Sequence, residues 1–251
     1  MRKPFQGVLN IIRFNWHFYI LSSLFLGFIL LLANYVNEMI AFYLLLLCLF
    51  IFFSIFISLF VSYYVYDLSG LYKLDWIEGF KSDEKSKIVN INAGFDETSV
   101  LLKDKFSHSE LVVFDFYNPL KHTEISIQRA RKAYPPYPKT LQVATTKLSL
   151  EDNSVDKIFV IFSAHEIRNE EERILFFKEL KRILKPKGEI IITEHLRDFL
   201  NFLAYNIGFF HFYSKSNWFK IFASAELHMQ REQKLTSFIS SFTLTKYGIT
   251  S

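Results

Sequence analysis

Two long apolar runs near the start of the chain constrain its fold more than any other feature. No Asp, Glu, Lys or Arg occurs from Trp16 to Val36, and none occurs from Met39 to Tyr66. A helix needs about 20 apolar residues to cross the roughly 30 Å hydrocarbon core of a bilayer, so the first run just spans it and the second is longer than needed. The sequence therefore predicts a transmembrane α-helical hairpin in residues 1–66, with spans at about 14–36 and 39–66.

A cleaved signal peptide is the alternative interpretation of the first run, because Arg2, Lys3 and Arg13 precede it. Signal peptides carry an apolar region of about 7 to 15 residues. This run is longer, lacks a clear small-x-small cleavage site and is followed at once by a second apolar run. These features favour a membrane anchor.

The charges beside the two runs predict their orientation. Basic residues precede the first run and Lys73 follows the second, whereas the connection at Asn37 and Glu38 has no Lys or Arg. Basic residues mark the cytoplasmic side of membrane spans. We therefore expect a multi-pass membrane protein whose termini and following domain are all cytoplasmic.

Charge balance and cysteine content exclude several classes of protein. The first 66 residues carry three basic residues and one acid, which leaves 26 Lys and Arg against 24 Asp and Glu in the remainder. That balance does not provide the basic face of a nucleic-acid binder. The single cysteine, Cys48, lies in the second run, so neither an intramolecular disulfide nor a cysteine-rich zinc site can form. The seven histidines do not fall at ligand spacing with other donors, so the sequence predicts no metal site.

A linker and an α/β domain are expected after the hairpin. Tyr63, Tyr64 and Tyr66 should lie at the level of the lipid headgroups, and residues 67–86 should form a short interfacial helix and linker. From residue 87 to residue 251, short runs rich in Val, Ile, Leu and Phe alternate with helical stretches, which is typical of a doubly wound sheet. The predicted parallel strands are Ile88–Asn92, Leu111–Asp115, Thr140–Ala144, Lys157–Phe162 and Glu189–Glu194.

The later part of the domain has its own helix and strand signals. Apolar residues on one helix face predict a helix from Glu170 to Leu184, which the segment Lys185–Gly188 should end. Another helix is expected over Asn217–Ala225. Two final runs, Leu227–Lys234 and Phe238–Lys246, are close enough to pair as an antiparallel hairpin at the sheet edge. The fold class is therefore α/β, a Rossmann-like sheet with a C-terminal antiparallel hairpin.

Ligands of open parallel sheets bind at the carboxyl ends of the strands, so the residues there are the first candidates for a site. Gly94 follows the first strand and permits a positive φ angle or a close backbone approach. Asp115 ends the second strand, 21 positions after Gly94. An acidic residue about 20 positions beyond a glycine turn suits a ribose diol. The capping of a turn is an equally good interpretation of Asp115.

Two later segments carry recognisable motifs. They are Leu148-Ser-Leu-Glu-Asp-Asn-Ser-Val-Asp156, followed by a strand and Ala164-His165-Glu166-Ile167, and Leu184-Lys-Pro-Lys-Gly-Glu-Ile-Ile-Ile-Thr-Glu194. Together with the strand order over roughly residues 87–246, they resemble class I S-adenosylmethionine-dependent methyltransferases of the type 11 kind. The resemblance implies a seven-stranded sheet and S-adenosyl-L-methionine as the cofactor. The cofactor-binding residues expected from it are Asn92, Ala93, Gly94, Phe95, Asp115, Phe116, Thr145 and Ser163.

The glycine turn departs from the pattern of this family. The family usually has an acidic residue followed by three glycines where this chain has Asn90, Asn92, Gly94 and Asp96. The Asp that often contacts adenine aligns with Ala144. The alternative function is therefore a catalytically inactive binding or scaffold module tethered to the membrane. A third hypothesis, a nicotinamide-dependent reductase, is disfavoured because Asp96 would repel the phosphates of a dinucleotide.

His165 and Glu166, which follow the fourth strand, are the expected catalytic residues. Histidine titrates near neutral pH and a neighbouring carboxylate can hold its tautomer, so this pair is suited to orient or deprotonate an acceptor. The capping of the next helix is the alternative role for His165. The polar segment Glu194–Asp198 is a second cluster, either functional or simply solvated.

The segment Phe199–Phe222 is unusually aromatic. It covers an apolar pocket, rests on the bilayer or fills the core, and the first two interpretations favour a lipophilic substrate. We therefore expect a membrane-anchored methyltransferase that acts on a small apolar or lipid-like acceptor. Its partner is the lipid bilayer and not nucleic acid, and the oligomeric state stays open.

Overall fold

The computed structural model describes residues 2–78, 83, 85–122 and 124–248 of the chain. The strands in this part are β1 Lys87–Asn92, β2 Glu110–Asp115, β3 Leu141–Gln142, β4 Val155–Ile161, β5 Leu184–His195, β6 His228–Thr236 and β7 Ile239–Thr245. They form one sheet in the order β3-β2-β1-β4-β5-β7-β6. Strands β1 to β5 are parallel, and β7 is antiparallel to both β5 and β6. The predicted sheet with a closing hairpin is therefore confirmed.

Helices cover both faces of this sheet, as a buried parallel sheet requires. In the described residues they are α1 Gln6–Phe14, α2 Trp16–Leu32, α3 Glu38–Tyr63, α4 Ser99–Lys105, α5 Ile125–Ala133, α6 Glu170–Ile183, α7 Phe199–Tyr205 and α8 Lys215–Ser224. The larger apolar core lies between the sheet and helices α6 and α8, where Phe177 and Trp218 are fully buried. The smaller core lies under α4 and includes Leu74 and Phe106.

The boundary between α6 and β5 differs from the sequence prediction. The helix ends at Ile183 and the strand begins at Leu184, so the segment Lys185–Gly188 belongs to the strand and not to a separate turn. Leu184 pairs with Val155 and Glu189 pairs with Lys157, so the four residues between them form a bulge. A Cβ at Gly188 would lie 2.9 Å from the carbonyl oxygen of Asp156, which explains the glycine.

The first apolar run does not form one straight helix over residues 14–36. Asn15 separates α1 from α2, and the two helices meet at an angle of 71°. The side-chain amide of Asn15 donates to the carbonyl of Ile11, which competes with the helical hydrogen bonds at this point. Helix α2 has 17 residues and is about 25 Å long, slightly less than the hydrocarbon thickness of a bilayer.

The second apolar run forms a long exposed helix. Within the helical segment Glu38–Lys73, the most apolar window of 18 residues has a mean hydropathy of 3.1 and is only 11% buried, so this is not the core helix of the domain. It includes α3 and a π-helical turn, Tyr64–Leu68. In the described part of the chain it is the one helix long and apolar enough to cross a bilayer. A second such element exists if the bent pair α1 and α2 counts as one span.

Helix α1 is docked on the π-helical turn. Its first turn has no capping side chain of its own, and the N–H groups of Gly7 and Val8 instead donate to the carboxylate of Asp67 at 2.8 and 2.9 Å. A Cβ at Gly7 would lie 2.4 Å from the Cβ of Tyr66, so the two backbones approach too closely for any other residue. The N-terminal segment is therefore held against the domain.

Tyr66 connects the long helix to the sheet and does not face lipid. Its hydroxyl lies 2.8 Å from Nε2 of His195 at the end of β5, and Nδ1 of His195 lies 3.1 Å from the side-chain oxygen of Asn201 on α7. Of the three tyrosines predicted at the headgroup level, Tyr64 is exposed and Tyr63 stacks on Phe5. Part of the predicted interfacial linker, residues 79–82 and 84, lies outside the described residues.

Candidate functional site

A cavity of about 170 Å³ lies where strands β1 and β4 end. It is lined by the start of the loop after β1, by the end of β4 and by side chains from other elements. These residues are Tyr72, Asn92, Ala93, Phe95, Glu97, Thr98, Ile127, Ile161, Phe162 and Glu166. Small-molecule sites usually measure about 300–1,000 Å³, so this cavity is smaller than a typical site.

The loop after β1 is built around Gly94. Its φ angle is 98°, which L-residues with a side chain rarely adopt, and its N–H donates to the side-chain oxygen of Asn92. The Oδ1 atom of Asp96 accepts hydrogen bonds from the N–H groups of Thr98 and Ser99 at the start of α4, so it is already engaged within the protein. The carboxylate that sequence analysis used as an argument against a dinucleotide therefore accepts hydrogen bonds at the start of a helix.

Asp115 lies beside this loop, because it pairs in register with Asn92 across β1 and β2. One of its carboxylate oxygens accepts the N–H of Tyr117, and the other forms an ion pair with Arg131 of α5. The Arg131 guanidinium also lies 4.4 Å from the ring centroid of Tyr117 and would contact any Cβ at Gly94. Arg131 thus occupies the space between the glycine turn and Asp115, where a ribose would bind.

The N-terminal segment packs on two residues that line the cavity. Phe14 of α1 packs edge-on against Phe95, with ring centroids 5.6 Å apart. Arg2 and the hydroxyl of Tyr72 both contact the carboxylate of Glu97, each at 2.7 Å. The N-terminal segment and the loop after β1 are therefore parts of one packed structure. Sequence analysis missed the contact between Arg2 and Glu97, since nothing in the spacing links residues that are 95 positions apart.

Three of the predicted cofactor-binding residues make contacts with other parts of the fold. Phe116 is buried and packs against Phe176 of α6. The Thr145 hydroxyl donates to Glu172, also on α6, and the Ser163 hydroxyl donates to the carbonyl of Ile91 at 2.8 Å. Of the other five, Asn92, Ala93 and Phe95 line the cavity, Gly94 lies in the same turn, and Asp115 pairs in register with Asn92.

His165 and Glu166 belong to a cluster of ionisable side chains next to the cavity. His165 contacts Glu194 through Nδ1 at 2.6 Å and Glu166 through Nε2 at 3.2 Å. His211, from the short 3₁₀ helix Asn206–His211, contacts Glu166 through Nε2 at 3.2 Å and Glu124 through Nδ1 at 2.9 Å. Only His165 and Glu166 were predicted as catalytic, and Glu194 was placed in a second cluster that the structure merges with the first.

The carboxylates around His165 determine its protonation. Burial disfavours the imidazolium, but the negative charge of Glu194 and hydrogen bonds to Glu166 and Glu194 outweigh this effect and raise the pKa of His165 to about 10. Burial also acts against ionisation of Glu166, yet its hydrogen bonds with His165 and His211 hold its pKa well below the usual range. The contacts with both carboxylates allow His165 to hold and orient a polar group.

The aromatic segment Phe199–Phe222 divides into two parts. Trp218 and Phe222 on α8 belong to the core. In the first part, helix α7 and the 3₁₀ helix after it expose apolar side chains, namely Phe199, Leu200, Phe202, Leu203, Ile207 and Phe210. Ala204 on the other face of α7 packs with Val61 and Val65 near the end of the long apolar helix.

Comparison with known proteins identifies the fold of the domain. Residues 94–192 match a family model described as a methyltransferase domain. The structure is similar to a SAM-dependent methyltransferase from Aquifex aeolicus, with a TM-score of 0.52 and 19% identity over 72% of this chain and 94% of that chain. It is also similar to a SAM-dependent methyltransferase from Methanosarcina mazei, with a TM-score of 0.50 and 15% identity over 66% of this chain and 94% of that chain.

No curated protein sequence matches the chain significantly. At such low identities the two solved structures show the fold alone, and that fold is the one of S-adenosylmethionine-dependent methyltransferases. The family match begins at Gly94, so it leaves out the N-terminal segment that packs on the loop after β1, and it ends before His211.

Proposed function

We propose that this chain is a membrane-anchored S-adenosylmethionine-dependent methyltransferase that acts on an apolar or lipid-like acceptor. The observation that carries the assignment is a cavity at the carboxyl ends of β1 and β4, bordered by Asn92 to Phe95, on a methyltransferase fold. In open α/β sheets this edge is where ligands bind. The family match over residues 94–192 supports S-adenosylmethionine as the cofactor.

The residues of the glycine turn and of β2 fit the donor once Arg131 has moved. Gly94 lets the backbone approach a ligand, and the Asp115 carboxylate is placed to accept hydrogen bonds from ribose hydroxyls. Arg131 is about one-third exposed, so it can leave Asp115 for solvent. When bound, S-adenosylmethionine supplies an electrophilic methyl group. The cover formed by α1 excludes water from the space where the acceptor meets it.

Methyl transfer depends mainly on the alignment of two reactants, and the chain supplies the means to align them. Glu166 lines the cavity and is fixed by His165 and His211, so it can orient a polar group of the acceptor. His165 contacts both Glu166 and Glu194, which gives both carboxylates a defined position. The two side chains thus act as positioning groups.

An apolar acceptor is supported by the surface of α7 and the 3₁₀ helix after it. Phe199, Ile207 and Phe210 are 63–84% exposed, and the other face of α7 contacts the end of the long apolar helix. Aromatic and aliphatic side chains on one face of an interfacial helix enter the headgroup region of a bilayer. His211 ends this segment, so the polar cluster lies next to the surface that meets lipid.

The two apolar runs are proposed to anchor the domain with both termini in the cytoplasm. The long helix Glu38–Lys73 supports one span, and α2 supports a second that is short and bent away from α1. Labelling of single cysteines at exposed positions of the domain, in right-side-out and inside-out vesicles, tests this topology. Reactivity of the domain from the extracellular side contradicts it.

Calorimetric titration of the full chain in lipid nanodiscs tests the proposed cofactor. We expect S-adenosylhomocysteine and S-adenosylmethionine to bind and NADH not to bind. Asp115→Asn should weaken binding, whereas Asp104→Asn, an exposed position on α4, should not. If S-adenosylhomocysteine binds equally to wild type and Asp115→Asn, the ribose assignment is wrong.

A membrane-tethered scaffold is the second candidate function. It is favoured by one observation, namely that Arg131 is paired with Asp115 beside a cavity of only about 170 Å³. The same titration separates the two candidates. Failure of all three ligands to bind a folded chain favours the scaffold and contradicts the enzyme.

A further inference from the structure

The cluster beside the cavity brings three side chains together in the arrangement of a metal site. Nε2 of His165, one carboxylate oxygen of Glu166 and a ring nitrogen of His211 lie within 4.8 Å of one another. The Glu166 oxygen is 3.2 Å from each Nε2 atom. Ligand atoms bound to one ion at about 2.0–2.2 Å are separated by distances of this size.

The outer contacts of both imidazoles match those of metal-bound histidines. A histidine that ligates a metal almost always donates its other ring N–H to a carboxylate, a carbonyl or water. Here Nδ1 of His165 faces Glu194 at 2.6 Å, and Nδ1 of His211 faces Glu124 at 2.9 Å. Both rings therefore present Nε2 toward Glu166.

The charges of the cluster favour a cation. Glu124, Glu166 and Glu194 bring three carboxylates together, and the side chain of Glu194 is almost completely buried. Arg168 is the basic residue closest to them, and its guanidinium lies against the His211 ring and 3.8 Å from Glu124. Its side chain is 41% exposed, so it can turn into solvent when an ion takes its place.

We propose that His165, Glu166 and His211 bind a divalent transition-metal ion. Two imidazoles and one carboxylate suit Zn²⁺ and Fe²⁺, and they leave coordination positions open. Glu166 also lines the cavity, so an open position can take an oxygen atom of a molecule bound there. The site does not depend on the proposed function, because its ligands bind the ion whether or not a methyl donor is present.

The sequence could not indicate this site because its ligands come from separate parts of the chain. His165 and Glu166 follow β4, whereas His211 lies 45 residues after Glu166 at the end of a 3₁₀ helix. Spacing rules find metal sites on one helix or one loop. Only the folded sheet brings the 3₁₀ helix to the end of β4.

Metal titration of the full chain in lipid nanodiscs tests the site. After removal of adventitious metal with a chelator, Zn²⁺ binding is measured by calorimetry, and Co²⁺ binding by its visible absorption. We expect one ion per chain. His211→Ala should weaken binding at least about tenfold, and Glu124→Gln by about tenfold, since loss of an outer carboxylate alone costs about 10–100-fold. His108→Ala, at an exposed position after α4, serves as the matched control.

Two results would overturn the metal site. One is no saturable binding of one ion per chain in the wild type. The other is equal affinity in His211→Ala, Glu124→Gln and the His108→Ala control. Glu124 is nearly half exposed, so its variant stays informative if His211→Ala does not fold. Separate titration with S-adenosylhomocysteine distinguishes failure of this site from failure of the proposed function, because either ligand can bind without the other.

Discussion

Replacement of Gly7 by alanine should release α1 from the domain. The added Cβ would lie 2.4 Å from the Cβ of Tyr66 and 2.9 Å from a carboxylate oxygen of Asp67, and the first of these atoms belongs to a packed helix that cannot move freely. Overpacking of this kind costs about 1–3 kcal/mol. Alanine favours the helix itself by about 1 kcal/mol over glycine, so α1 stays helical and only its docking weakens.

A docking penalty of about 2 kcal/mol corresponds to a roughly 30-fold larger undocked population. Hydrogen exchange monitored by mass spectrometry measures it directly, in peptides that cover α1 and the loop from Phe95 to Thr98. Both should lose protection in Gly7→Ala, because Phe14 and Arg2 no longer cover that loop.

Gly27→Ala is the matched control for this experiment. A Cβ at Gly27, on α2, meets no atom within 4 Å. Its exchange pattern should equal that of the wild type in the domain. Unchanged protection of α1 and of the loop after β1 in Gly7→Ala would refute the inference that the anchor covers the cavity.

Three further outcomes follow from individual contacts. Asp115→Asn should weaken S-adenosylhomocysteine binding at least about tenfold. Arg131→Ala should strengthen this binding about two- to fivefold, since it removes a competing, partly exposed ion pair. If calorimetry shows that both substitutions change the affinity in the same direction, the ribose assignment is wrong. Burial lowers the pKa of His195 to about 4 from 6.5, so the free energy of unfolding should fall by about 3 kcal/mol between pH 6.5 and pH 4. In denaturation of the micelle-bound chain, His195→Gln should reduce this dependence of the free energy of unfolding on pH. An unchanged pH dependence excludes His195 as its cause. A spin label at Ile207→Cys should be accessible to a lipid-soluble quencher. A label at Tyr247→Cys, an exposed position at the opposite end of the strands, should not be accessible. Equal accessibility contradicts contact between α7 and the bilayer.

The sign of the His195 effect follows from its neutral folded form. Between pH 6.5 and pH 4 the unfolded chain takes up a proton at this position and the folded chain does not, so acid favours unfolding. In the folded protein the Tyr66 hydroxyl donates to Nε2, and Nδ1–H donates to Asn201. Protonation of Nε2 would remove the acceptor of the Tyr66 hydroxyl. The hydrogen bond lost in this way connects the long apolar helix to β5.

The centre of the sheet could be predicted from the sequence because its parallel strands contain short apolar runs bounded by polar or small residues. β1 and β2 came within one residue of their observed limits. β3 is shorter than predicted, since Leu141 and Gln142 are both exposed and pair only with the last residues of β2, which leaves a strand of two residues. A strand at an exposed edge has little apolar pattern to reveal its length.

The site was only partly predictable. Gly94 and Asp115 were found because the order of strand, turn and helix places them at one edge of the sheet. Arg131 was missed because a surface arginine on an amphipathic helix has no pattern that marks it as the partner of Asp115. The break at Asn15 was missed for a related reason, since the docking of Phe14 on Phe95 depends on the folded domain and not on local apolarity.

Transfer of a labelled methyl group tests the proposed function most directly. The full chain in nanodiscs made from a total membrane lipid extract is incubated with trideuteriomethyl-labelled S-adenosylmethionine, and the lipid phase is analysed by mass spectrometry. We expect the label in a lipid-extractable molecule, with a much lower yield from Asp115→Asn and an unchanged yield from Asp104→Asn. Binding of S-adenosylhomocysteine without label in any lipid-extractable molecule, in conditions where the chain is folded, would contradict an apolar acceptor.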